Sequence, residues 1–140
     1  MVPNTKADLD QTAESWALVG SIGIDGWAHS GKTTIALRLG SRIAMPVLHT
    51  GLIYRSITAC VLERNALRRD QMIQACRDEL ADGGIPGTCV SHRGTHVHTA
   101  PAIWEPEVSQ FVTTVAANPS VRRMIVASIR QHLSLHGPMI

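Results

Sequence analysis

The sequence predicts an α/β fold with a parallel sheet, and three observations predict it. A short apolar run at residues 16–24 leads into a glycine-rich turn and then a helical stripe, the order that opens a βαβ unit. A second apolar pair, Val47-Leu48, follows Pro46. Beyond it, helical stretches keep alternating with short strand-like ones, the pattern that favours parallel strands over hairpin-linked ones.

Composition sets the outer limits. At 140 residues and 44% hydrophobic content the chain suits one domain with its own core. A formal charge of +2, with no block of like charge, is too small for an electrostatic nucleic-acid binder. Cys60, Cys76 and Cys89 are odd in number and widely spaced, which fits buried reduced thiols in a cytoplasmic protein, not a disulfide framework or a zinc site. Residues 1–15 are polar and carry Asp8, Asp10 and Glu14, so they read as a loose, flexible N-terminal extension and not as a signal peptide or membrane span. No membrane partner is expected.

Residues 16–24 are taken as the central strand, apolar enough to be buried on both faces. The turn after it, Gly26-Trp27-Ala28-His29-Ser30-Gly31-Lys32-Thr33-Thr34, fits G-x-x-x-x-G-K-[ST]. The backbone N–H groups of such a loop, with the N-terminus of the next helix, cradle nucleotide phosphates. Lys32 would reach the β- and γ-phosphates of ATP, and Thr33 would offer its hydroxyl to Mg²⁺. Lys32 is the candidate catalytic residue, Thr33 the candidate metal ligand, and residues 26–34 the candidate ATP site. His29 stands where glycine is usual, at a cost of about 1 kcal/mol or more if the backbone there needs positive φ.

The helix expected over residues 33–44 carries Ile35, Leu39 and Ile43 as its apolar stripe, with Gly40 costing roughly 1 kcal/mol relative to alanine. Pro46 stops it and Val47-Leu48 forms the second strand. A further helix is expected from His49 to about Asn65, with Ile53, Ile57 and Val61 inward. Residues 69–80 predict another, with Ile73, Cys76 and Leu80 on one side and Asp70 as cap. Residues 81–87 read as a loop, and residues 88–92 and 95–98 as the arms of a hairpin around Arg93-Gly94. His96 and His98 share a strand face without further metal ligands. Asn118 as N-cap and Pro119 at the first helical position begin the last helix, with Val121, Ile125, Ile129 and Leu133 in a stripe running to Gly137. His132 and His136, one turn apart, have metal-chelating spacing.

Two segments carry a family resemblance. Thr50-Gly51-x-x-Tyr54-Arg55, shortly after Asp25-Gly26-x-x-x-Ser30-Gly31-Lys32-Thr33-Thr34, resembles the opening of bacterial cytidylate kinase, a nucleoside monophosphate kinase. Pro106-Glu107-Val108 with Val115-Ala116-Ala117-Asn118-Pro119-Ser120-Val121-Arg122 is similar to a later family segment. The resemblance implies a phosphate-loop NTPase fold, a three-layer sandwich with a small hairpin insert, in a partial nucleoside monophosphate kinase domain over 16–140 whose monophosphate-binding insert lies at about residues 66–104. It implies ATP as phosphoryl donor, CMP or dCMP as acceptor, and Mg²⁺ as cofactor. It also implies that Thr50, Tyr54 and Arg55, with Arg122 and Arg130, line the acceptor site; a guanidinium binds two phosphate oxygens at once. The family carries aspartate where this chain has His49 and arginine where it has Trp104.

The resemblance covers only the first half or so of a family member, so the chain reads as a truncated or degenerate kinase with an incomplete parallel sheet. The core strand expected between the phosphate-loop strand and Val47-Leu48 is missing from this reading. Its absence would leave backbone groups unpaired, so the chain is expected to be marginal as a monomer or to take a partner that completes the sheet. Two other functions fit the same residues: a nucleotide-binding remnant without turnover, and a phosphate-loop kinase for another small acceptor.

Overall fold

The computed structural model describes residues 20–81, 85, 89–92 and 100–140. The expected N-terminal extension, residues 16–19 of the first strand, most of the 81–87 loop and the 95–98 hairpin arm with His96 and His98 lie outside the described residues. The elements are α1 (Lys32–Ile43), β1 (Val47–Leu48), α2 (Thr50–Glu63), α3 (Arg69–Ala81), β2 (Val90–Ser91), a 3-10 turn (Pro101–Trp104), α4 (Pro106–Ala117) and α5 (Pro119–His136). Two compact units result. One takes in the chain up to His49, Val90–Val97 and Leu133–Ile140; the other is Thr50–Cys89 with His98–His132.

The first unit is built around β1. Its two assigned strands pair antiparallel, Val47 opposite Ser91 and Leu48 opposite Val90, so β1 has an antiparallel neighbour where the sequence predicts parallel ones. The other edge of β1 is occupied by the chain's own residues 139 and 140. Ile140 N–H donates to Pro46 O (3.0 Å) and Ile140 O accepts from Leu48 N–H (2.8 Å). Two bonds that straddle Val47 in this way are the pattern of a parallel pair. On its far side the same segment accepts from Ile22 N–H at Met139 O (3.0 Å), and Met139 N–H donates to Ser21 Oγ (3.2 Å).

The gap expected between the first strand and β1 is therefore filled by residues 139 and 140, and the backbone groups of Ile22 and Leu48 expected to be orphaned are paired. Met139 and Ile140 are correspondingly buried. Residues 20–24, expected as the central strand, form no regular strand; Ile22 and Ile24 pack half-buried on the core.

That core is Ala36, Leu37, Ile43, Met45, Val47 and Ile140. The buried face of α1 is thus Ala36, Leu37, Gly40 and Ile43, while Ile35, expected inside, is 57% exposed. Gly40 explains the rotation. A β-carbon there would stand 2.7 Å from Met45 O and 2.8 Å from Val47 Cγ2, so the face that β1 approaches is the one without a side chain. The helix ends at Ile43 and not by the proline alone: Ala44 turns left-handed (φ 54°), and its N–H and that of Met45 both return to Gly40 O.

In the second unit α2 packs on α3, α4 and the 3-10 turn. Ile53, Ile57 and Val61 are fully buried, as their spacing predicts, joined by Thr58, whose hydroxyl donates back to Tyr54 O (2.7 Å). On α3 the buried residues are Met72, Ala75 and Cys76; Ile73 and Leu80 are only half-buried. Asp70 does not cap α3. It pairs with Arg68 at 3.6 Å, while Gln71 Oε1 accepts from Arg68 N–H, the reciprocal half of a capping box. Asn118 does cap α5: its Oδ1 accepts from Ser120 N–H (3.0 Å) and Val121 N–H (3.4 Å), with Pro119 first in the helix. The three thiols are free and buried; burial pushes Cys76 up to about 11 and Cys60 upward, which leaves both unreactive.

Candidate functional site

The glycine-rich loop belongs to the first unit. Gly26 (φ 152°), His29 (φ 59°) and Gly31 (φ 86°) all sit at positive φ within six residues. A side chain at Gly26 would press on Ser30 Oγ at 3.2 Å, so the first glycine of the motif is required by close approach as well as by φ. His29 adopts the left-handed conformation suspected from sequence, where histidine is tolerated at a cost that glycine avoids. Ser30 N–H donates to Trp27 O and Gly26 N–H to Asp25 Oδ1 (2.7 Å), which fix the turn from both ends.

Lys32 begins α1 and folds back over the loop. Its ammonium donates to Gly26 O (2.7 Å) and Trp27 O (2.6 Å), two of its three hydrogen-bonding directions. Gly31 provides no side-chain cap and the first turn of α1 contains no acidic residue, so the positive end of the helix is left uncompensated. Thr33 and Thr34 are exposed beside it. The arrangement offers the uncapped N-terminus of α1, one ammonium and two exposed threonine hydroxyls, a set of groups suited to an anion of several oxygens and to a cation that anion brings with it.

The acceptor candidates lie in the second unit and are not all engaged alike. Arg55, half-buried on α2, donates from Nη1 to Ile103 O (2.9 Å) and to Ser109 Oγ (3.1 Å), and its Cζ lies 4.8 Å from the centroid of Trp104. Thr50 is exposed at the start of α2 and Tyr54 half-buried one turn on. Arg122 and Arg130 are exposed on α5, and among the described residues neither guanidinium has a hydrogen bond or ion pair that gathers it with Arg55. Trp104 and Ser109, the partners of Arg55, are not among the residues expected at the acceptor site. Ser109 directly follows the Pro106-Glu107-Val108 of the family-like segment, which is the signal the sequence offers for it.

His49 closes the first unit. Its Nε2 lies 2.6 Å from the buried Ser91 Oγ, and burial pulls its pKa below the usual 6.5. It ties β1 to β2 in place of a ligand contact. Among the described residues no group of three or more His, Cys, Asp and Glu could hold a metal. No helix among them is long and apolar enough to cross a membrane.

The loop at the head of α1 is the part of the chain that carries the family-like motif, and the comparisons identify the family. The family model described as cytidylate kinase matches residues 22–140, and the chain belongs to that family. It is 34% identical over 111 residues to a cytidylate kinase of Limosilactobacillus fermentum, covering 79% of this chain and 49% of that protein. It is 36% identical over 115 residues to the cytidylate kinase of Solibacter usitatus (79% and 47%), and 30% identical to a bifunctional pantoate ligase/cytidylate kinase of Acaryochloris marina (85% and 23%). The chain spans about half the length of the cytidylate kinases it matches. No solved structure matches it.

Proposed function

We propose that the chain carries the donor-phosphate and acceptor-phosphate parts of an ATP-dependent kinase acting on CMP or dCMP. The observation that carries this reading is the loop of residues 26–34, folded with Lys32 over it and the N-terminus of α1 uncapped. Phosphate oxygens would compete with Gly26 O and Trp27 O for the Lys32 ammonium while the backbone N–H groups take the remaining charge. Lys32 then neutralises the phosphoryl group as it leaves the donor. Thr33, exposed in the first turn, is suited to hold Mg²⁺, whose other ligands are phosphate oxygens and water; the ion supplies charge neutralisation of the transferring group. Arg55 is the acceptor-phosphate ligand, and Thr50 and Tyr54 line the same face of α2; Arg122 and Arg130 are further phosphate contacts. The attacking group is itself a phosphate oxygen, so positioning and charge neutralisation matter more than a strong base.

A second reading is nucleotide binding without turnover, in which the loop holds a nucleotide and no phosphoryl group is transferred. A coupled assay of this polypeptide with millimolar ATP, Mg²⁺ and CMP separates the two. CMP-dependent ADP formation that Lys32→Ala abolishes supports the kinase; ATP binding without it supports the second reading. Profiling with UMP, AMP and small alcohols tests the acceptor class.

A further inference from the structure

We propose that Trp104 is a positioning residue for Arg55, its indole face fixing the plane of the guanidinium so that the free edge is presented to an acceptor phosphate. This rests on the reading of Arg55 as a phosphate ligand. The geometry separates the two halves of the guanidinium. Nη1 is spent on Ile103 O and Ser109 Oγ, while Nε and Nη2 have no partner among the described residues. Two hydrogen bonds from one nitrogen still allow the plane to pivot about that nitrogen. The ring face that lies 4.8 Å from Cζ opposes this pivot, because swinging the guanidinium away from the face gives up the cation–π attraction.

Trp104 is not where a core residue would be. It is 56% exposed at the end of the 3-10 turn, and the neighbouring Ile103, 8% exposed, anchors that turn instead. A large aromatic ring left more than half in water, in contact with a cation, does little for burial and much for orientation. The free Nε and Nη2 form the edge that binds two oxygens of one phosphate side by side, so a fixed plane favours a phosphate monoester over an uncharged nucleoside.

The test uses the full chain, with CMP and cytidine as probes. Calorimetry on wild type, Trp104→Leu, Trp104→Phe, Arg55→Ala and the Trp104→Leu/Arg55→Ala pair is read beside the Arg55 Nε–H NMR resonance and the melting temperature. Trp104→Leu is expected to weaken CMP about fivefold, to leave the melting temperature unchanged, and to remove the ring-current displacement of the Arg55 Nε–H signal. Trp104→Phe should restore most of both, and Trp104→Leu should have no further effect once Arg55 is alanine. CMP, but not cytidine, should move the Arg55 Nε–H signal. Wild-type CMP affinity in Trp104→Leu, with Arg55→Ala weakened, overturns the role of Trp104 and leaves Arg55 as the ligand. An Arg55→Ala variant that binds CMP as wild type does, or a wild type that does not bind it, overturns the acceptor reading and this inference together.

Discussion

Lys32 and Arg55 are the two charged groups at the heart of the candidate sites, and they are held in opposite ways. Lys32 closes on carbonyls six and five residues before it, inside its own loop. Arg55 closes on Ile103 and Ser109, 48 and 54 positions away, and on the ring of Trp104. The loop is therefore a local structure that contributes binding groups and little stability. The Arg55 cluster ties α2 to the 3-10 turn and α4, so its fold and its ligand chemistry are inseparable.

Variants sharpen that contrast, and the largest stability effect is expected on the Arg55 side. Arg55→Ala removes two hydrogen bonds from a charged donor and leaves Ile103 O half-buried without its partner, a loss of about 2 kcal/mol that urea unfolding would register. Lys32→Ala, measured the same way, should stay within about 0.5 kcal/mol of wild type. Equal losses at both positions would erase the distinction.

Asn118→Ala comes next. The cap is buried and accepts two backbone N–H groups at the start of α5, so its loss should cost about 1–2 kcal/mol; replacement by aspartate should retain most of the stability. His29→Gly should gain about 1 kcal/mol in stability or in ATP affinity, because glycine adopts φ 59° without strain. A loss on both readouts would show that the imidazole contributes more than its backbone costs.

The smallest effect is one of pH. Burial lowers the His49 pKa in the fold, so the neutral ring is favoured there. Stability from this group is complete above the unfolded value of 6.5 and is lost progressively as the pH falls below it towards the folded value. Melting temperatures between pH 7.5 and 5 should fall, and His49→Gln should flatten that slope. An unchanged slope would place the acid sensitivity elsewhere.

What the sequence made legible follows the same division. The loop, the cap at Asn118 and the Ile53, Ile57, Val61 stripe were readable because each depends on neighbours within one or two turns. The buried face of α1 was not, because it is set by the approach of Met45 and Val47 to Gly40, a tertiary demand that outweighs the Ile35 stripe. Nor was the pairing of β1. Nothing in Gly137-Pro138-Met139-Ile140 marks it as a strand, yet Met139 and Ile140 lie between Ile22 and β1. The proposal that Arg55 binds a phosphate rests on the family-like motif around it. Its partners Trp104 and Ser109 are separated from it by some fifty residues, and only the family-like segment beside them marks that region.

The central claim is that the loop of residues 26–34 holds the phosphates of ATP through Lys32, and calorimetric titration of MgATP into wild type and Lys32→Ala tests it most directly. A charged hydrogen bond to phosphate contributes about 1.5–3 kcal/mol, so the account predicts affinity lower by about ten- to 150-fold in the variant with an unchanged melting temperature. Equal affinity of the two proteins for MgATP would contradict it.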